Sequence, residues 1–355
     1  MAQGTDVPTI PLGRRSAVVG RSGKLWQLAL GLAILAALVV VGPMLGYYNV
    51  FLLTTALIYS QLAMTLDLQW GYGGLINFGA AAPFGVGAYV YALLAQRGGL
   101  FSSAYLALAA AMAACVLFAL VIGFPAFRAR TLPLYYALLT LAAALLLSEY
   151  VTIVKFTNGS NGTNGVPPLD LSLPPLFHFQ PAIGLQSYDV TLGITAAIFL
   201  VSWWLTRSPF GRAMRAMRED DRRCEALGYP ILRYKLILSS FAFALAGLAG
   251  GLFAAMNGSI DPSLLGVALS LQAFIWVALG GQGTLWGPMV AAIAITLVQN
   301  YLSSLSANLY LVILSLAFVL GVLVLPGGLA GLLRSIVMKI SRPGAAVQAT
   351  EALER

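Results

Sequence analysis

The sequence predicts an all-α, polytopic membrane protein of about ten transmembrane helices, with both termini on the cytoplasmic side. Three observations carry this expectation. Charged residues make up 9% of the 355 residues and hydrophobic ones 59%. A soluble domain carries about 25% charged residues, so this chain cannot cover a water-facing surface of its size. A soluble enzyme, a disordered chain and a disulfide-stapled secreted module are thereby excluded. The uncharged runs are also long enough for helices of about 20 residues, the length a bilayer requires. Finally, a cytoplasmic N-terminus places 18 of the 20 Lys and Arg residues on one side, leaving Arg97 and Lys155 on the other. That asymmetry obeys the positive-inside rule. The net charge of +8 therefore records orientation and does not mark a nucleic-acid surface.

Residues 1–24 read as a cytoplasmic tail that ends in Arg14, Arg15, Arg21 and Lys24. The apolar run after it is too long for a signal-peptide core and ends without a small-x-small cleavage site. The 42 uncharged residues between Lys24 and Asp67 hold spans 25–42 and 47–66. Spans 75–96, 100–124 and 131–154 follow. Residues 155–186 form an outward loop, because Pro174, Pro175, Pro181 and His178 interrupt the apolar pattern. Its Asn158, Asn161 and Asn164, each followed by Gly, read as turns. Span 187–206 leads into a polar segment, 207–235, and span 235–257 leaves it. The last uncharged run, Pro262 to Leu333, has room for spans 264–281, 285–303 and 308–325. Residues 25–333 thus form the membrane domain, and 334–355 are a second cytoplasmic tail.

Reaction chemistry is missing. Gly23-Lys24 is followed by Leu25, so there is no phosphate-binding loop. No Gly-x-Ser-x-Gly or His-Glu-x-x-His occurs. His178, Cys115 and Cys224 are too dispersed for a metal site, and the two cysteines fall in different compartments. The chain is therefore expected to have no catalytic residues, no metal and no cofactor of its own. Ion-driven carriers place ionisable groups in mid-membrane. Here Asp67 and Asp261 fall at span ends, and Glu149 alone lies inside a span, about one turn from its outer end. Glu149 reads as a proton or substrate site, or as an interfacial carboxylate near Lys155. Scarcity of buried charge points to energy supplied by a partner.

In segment 207–235, Met214, Met217, Cys224 and Leu227 recur at helical spacing, with arginines and acids around them. Gly228 before Pro230 stops the helix. Such a helix can dock its methionine edge in a groove on a soluble partner, or lie solvated on the headgroups. The block Gly211-Arg212-Ala213-Met214-Arg215-Ala216-Met217-Arg218-Glu219, then Glu225-Ala226-Leu227-Gly228 and Tyr234-Lys235, resembles the coupling loop of permease subunits of branched-chain amino acid ABC importers, the LivM type above all. Three further blocks fit the resemblance: Leu68 to Gly79 with Gly85 to Tyr89, Asn158 to Pro167, and Gly280 to Pro288. The resemblance covers all but the N-terminal tail. It departs at Asn77-Phe78-Gly79-Ala80-Ala81-Ala82-Pro83, where Pro83 falls inside a predicted span.

The resemblance implies a permease half in a bacterial inner membrane. Its partners would be a second, LivH-like permease, two ATPase subunits that hold ATP and Mg, and a periplasmic binding protein. It further implies that Arg212, Met214, Arg215, Met217, Arg218, Glu219, Cys224, Glu225, Leu227 and Gly228 couple the chain to an ATPase. The same architecture also serves urea and other small solutes. A stand-alone secondary transporter is the rival class.

Glycine and proline crowd the start of the third span, from Gly71 to Gly87. That density reads as an interrupted helix lining a path, or as close packing through small residues. Asn77, Phe78, Gly79 and Pro83 are the path candidates there, with Glu149, Gln272, Gln282 and Thr284 elsewhere. Gly247 and Gly251 are expected to pack helices. The Gly-rich turns after the second and eighth spans suggest a weak internal repeat of spans two–three and eight–nine.

Overall fold

The computed structural model describes residues 21–98, 103–129, 133–154, 157–172, 180–181, 184–305 and 328–331. The expected span 308–325, most of both tails, Lys155 and His178 lie outside the described residues. The described residues are all-helical apart from one two-stranded ladder. Among them, six helices are long and apolar enough to cross a membrane. They are α1 (Arg21–Val41), α2 (Tyr47–Asp67), α4 (Ala104–Arg128), α5 (Pro133–Ile153), α6 (Leu185–Arg207) and α9 (Ile231–Asn257). The remaining long elements are α3 (Ala81–Arg97), α10 (Val267–Gly280) and α11 (Trp286–Leu305). Short helices α7 (Pro209–Glu219) and α8 (Asp221–Ala226) join α6 to α9.

Two of the expected spans are not continuous helices. The 17 residues of α3 reach about 25 Å and the 14 of α10 about 21 Å, against a hydrocarbon core of about 30 Å. Hydropathy alone does not separate the apolar entry to α3, Leu75-Ile76-Asn77-Phe78, from the helix it feeds, whereas the entry to α10 is a polar turn at Asn257–Ser263. Before α3, a π-helical turn (Leu68–Tyr72) and the non-helical residues 73–80 follow α2. Before α10, a short strand (Ser259–Ile260) and a 3-10 turn (Pro262–Leu265) follow α9.

The two interruptions meet. The Ala81 N–H, at the start of α3, donates to Ser270 Oγ of α10 at 3.0 Å. A Cβ on Gly85 would lie 2.5 Å from Leu265 Cγ. From this meeting α3 and α10 run to opposite ends of the bundle. The Gln96 side chain of α3 donates to Asn164 O at 2.9 Å, beside the strand pair Thr163–Asn164 and Ser259–Ile260. The far end of α10 reaches Asp67 through the turn at Gly281–Leu285. Each interruption thus follows a long helix, α2 or α9, and precedes a short one, α3 or α10.

Pro83 is also reassigned. It is the third residue of α3, in the first turn, where a missing N–H breaks no helical bond. The helix is interrupted earlier, by the glycines. Gly247 and Gly251 do pack helices: added Cβ atoms would lie 2.5 Å from Cys115 Sγ and 2.7 Å from Leu108 Cδ2. Asn158 and Gly159, Gly162 and Gly165 take left-handed backbone, as the turn reading of their loop requires. The α3–α9 contact is the closest of all, and it yields a test. Gly250→Ala would set a Cβ 1.8 Å from the Phe84 carbonyl oxygen and is expected to destabilise the fold by about 1–3 kcal/mol. Gly193→Ala, inside α6 and meeting nothing within 4 Å, should keep or slightly raise the denaturation midpoint in detergent.

Candidate functional site

A cluster of candidate residues lies where the α2–α3 interruption meets the arginine-rich end of the bundle. Asp67, the last residue of α2, is fully buried. A buried carboxylate is tolerable only with strong hydrogen bonds. Its Oδ1 accepts the Gly283 N–H at 2.6 Å and its Oδ2 the Leu285 N–H at 3.0 Å. To present those two donors, the turn takes positive φ at Gly281, Gly283 and Leu285. At Leu285, with φ 53°, such backbone costs about 1–3 kcal/mol. No side chain fits at Gly71, whose Cβ would be 2.1 Å from Asp67 Oδ1 and 2.4 Å from Gly283 N. From α7, the Arg218 guanidinium donates to Gly71 O. One carboxylate thus gathers the π-turn, the α10–α11 turn and α7.

The interrupted backbone is held by side-chain amides. Asn77 is buried; its Oδ1 accepts the Gly79 N–H at 2.9 Å and its Nδ2 donates to Gln69 Oε1 at 3.0 Å. Both functional ends of the amide are therefore engaged within the protein, and Asn77 staples the loop instead of facing a path. Gly79 packs on α5, where a Cβ would meet Thr140 O at 2.1 Å. Pro83 O accepts the Cys115 thiol at 3.1 Å. Phe78 is half-buried, 5.3 Å from Phe274 of α10, which stacks on Trp70 at 3.9 Å. These three rings, two from one interruption and one from the other half-helix, line the meeting point.

The other path candidates scatter. Glu149 is exposed on α5 and joins none of these groups. Gln272 is half-buried on α10. Thr284 Oγ1 donates to Gly281 O at 2.7 Å within its own turn. Gln282 is exposed and lines a cleft of about 170 Å³ with Gln27, Tyr72, Arg215 and Arg218.

The segment after α6 forms two helices, not one. Ser208 Oγ caps α7 by accepting the Gly211 N–H at 3.2 Å. Asp220 ends α7 in extended backbone and caps α8, accepting the Arg223 N–H at 3.1 Å. The break rotates the face expected to be continuous. Met214, Met217 and Cys224 are 1%, 2% and 6% exposed, packed with Tyr72, Leu75 and Leu238 of this same chain, while Leu227 is 76% exposed. The methionine edge is thus no docking surface: burial inside its own base uses it up. Arg215 turns inward, its Nε donating to Gly211 O at 3.3 Å and its guanidinium lying 5.7 Å from the Tyr72 ring. Arg212, Arg218, Glu219, Glu225 and Gly228 are exposed, as Leu227 is, and Gly228 takes positive φ.

Sequence reasoning missed four of these groups. Asp67 passed as a span-end carboxylate, although it is the only acid between Lys24 and Arg97 and lies four residues before Gly71. Gln69, Trp70 and Ser270 carried no signal of their own. Gln61 is a fifth polar residue deep in α2, buried and donating to Thr195 Oγ1 at 2.8 Å. The loop staple gives a test. Asn77→Leu strands the Gly79 N–H and the Gln69 amide in an apolar interior. It is expected to cost about 1–3 kcal/mol, read as a lower denaturation midpoint in detergent.

Comparison with known proteins supplies context for this geometry. A family model described as the permease component of branched-chain amino acid transport systems matches residues 48–326. The chain is 32% identical over 300 residues to the high-affinity branched-chain amino acid transport permease LivM of Escherichia coli K12, covering 76% of this chain and 67% of that protein. It is 30% identical over 282 residues to LivM of Salmonella typhimurium, covering 71% and 63%. It is 27% identical over 292 residues to LivH of Escherichia coli K12, covering 77% and 91%. The chain thus spans about two thirds of the length of the LivM relatives it matches. No solved structure was found to match it.

Proposed function

The chain belongs to the branched-chain amino acid transport permease family, and on that premise we propose that it is the LivM-like half of an ATP-driven importer in a bacterial inner membrane. The single observation that carries the reading is the build of α7 and α8. Their apolar side is sunk into the base of the interrupted span, and a charged face centred on Leu227 is left outward. A helix anchored this way moves with the membrane domain and offers a soluble partner something to grip.

In this reading the arginine-rich end is cytoplasmic, the chain crosses the membrane ten times, and the Leu227 face seats on an ATPase subunit. ATP and Mg are held by two such subunits, and this chain contributes no reacting group. A LivH-like permease supplies the other half of the path, and a periplasmic binding protein delivers solute to the end that carries the 157–172 loop. The path runs past the two interruptions, where Trp70, Phe78 and Phe274 offer an apolar wall. Such a wall suits a branched-chain or related amino acid side chain. Urea and other small solutes remain the alternative cargo, selected by the binding protein.

The partner face can be tested without disturbing the core. Leu227→Asp combined with Arg222→Glu changes only exposed side chains, so the chain should insert and pair normally. Stimulation of ATP hydrolysis by loaded binding protein should fall by about tenfold or more, the loss expected of a truncated interface anchor. Stimulation at the wild-type level would remove the docking assignment.

A further inference from the structure

We infer that Asp67 is a positioning residue that carries the movement of α7 to both interrupted helices at once. The inference rests on the importer reading above and names the part that transmits force within it.

Two segments distant in sequence meet the π-turn that directly follows Asp67, one on the carboxylate itself and one on the turn's Gly71. The π-turn, Leu68–Tyr72, begins the α2–α3 interruption. Gly71 lies so close to Asp67 that no side chain can come between them. The first distant segment is the Gly281–Leu285 turn, which ends α10, the half-helix of the other interruption. Its Gly283 and Leu285 N–H groups both donate to Asp67. The second is α7, through Arg218 on Gly71 O. A Cβ on Gly74 would also lie 2.8 Å from Arg218 Cγ, so the arginine stem rests directly on the interrupted backbone.

The parts differ in how firmly they are held. Met214 and Met217 keep α7 seated by burial. Arg218, by contrast, holds the π-turn through its one guanidinium contact with Gly71 O, at the edge of the cleft it lines with Gln27 and Gln282. The Gly281–Leu285 turn takes positive φ at three positions; its glycines adopt that backbone freely, but at Leu285 it persists only while its surroundings impose it. Asp67 is what imposes it, by accepting two of its donors. Drawing Arg218 away from Gly71 takes a cation from beside a fully buried carboxylate and frees the π-turn. The turn that the carboxylate holds then loses its fixed reference. Both half-helices are reached through a single side chain. A packed contact that has two discrete arrangements is the physical requirement for coupling between distant sites.

The test uses the complete transporter in liposomes: both permeases, both ATPases, loaded binding protein and leucine as probe. Hydrogen exchange is followed in peptides covering 71–75, 209–226 and 281–285, without nucleotide and with ATP trapped by vanadate. In the wild type, nucleotide should change exchange in all three together. In Arg218→Gln, whose side chain is exposed, 209–226 should still respond, while the response at 281–285 falls by about tenfold. Asp67→Asn should raise exchange at the Gly283 and Leu285 amides whether or not nucleotide is present, and Arg218→Lys should restore part of the response. A wild-type response at 281–285 in Arg218→Gln overturns the inference. If Asp67→Asn does not reach the membrane, Arg218→Gln decides alone. If the wild type shows no nucleotide response at 209–226, or moves leucine without the ATPases, the importer reading itself fails, independently of Asp67.

Discussion

A bilayer offers no water to an unpaired peptide group, so a helix interrupted inside one must complete its hydrogen bonds from the protein's own side chains. Most of this structure follows from that constraint. The chain interrupts two of its helices and satisfies the freed groups with a small set of polar residues. Ser270 caps the start of α3, Asn77 and Gln69 hold the loop before it, and Asp67 holds the turn after α10. Each is buried or nearly so, and each bonds backbone or another polar side chain instead of leaving a vacancy. The glycines are their counterpart. Gly71 lets backbone approach a carboxylate more closely than any side chain would permit, and Gly283 supplies the positive φ that aims its N–H at that carboxylate.

The same constraint explains why so few charges lie within the membrane domain. Asp67 is affordable because it does structural work on two turns and sits beside Arg218. Glu149, with no such partners, is exposed at the edge of α5. At the arginine-rich end, Met214 and Met217 bury apolar surface to anchor α7, and each contributes up to about 1.5–3 kcal/mol by burial. Around them Arg212, Arg218 and Glu219 stay exposed.

Composition and charge were enough to read a multi-pass, all-helical membrane protein, and the Gly-rich blocks announced the interruption before α3. Helix positions were legible to within a few residues at most spans, because a run of apolar residues is a local property. The polar turn Asn257–Ser263 marked a boundary before α10, but not that the helix after it is too short to span a bilayer. The methionine face of 211–227 was read correctly as apolar and wrongly as a docking edge. Periodicity says that a face is buried, and it does not say against what.

What the sequence by itself determined is the medium in which the protein lies, the ends on which its charges gather and the segments that cannot be regular helix. Only the tertiary structure decided the partnerships: Asp67 with residues 216 and 218 positions away, α3 with α10 189 residues away, and α7 with the base of the interrupted span. The reason is physical. Hydropathy and helix periodicity act over a few neighbouring residues, whereas a buried carboxylate is stabilised by whichever backbone donors the fold brings to it. That choice is recorded in no local stretch of chain.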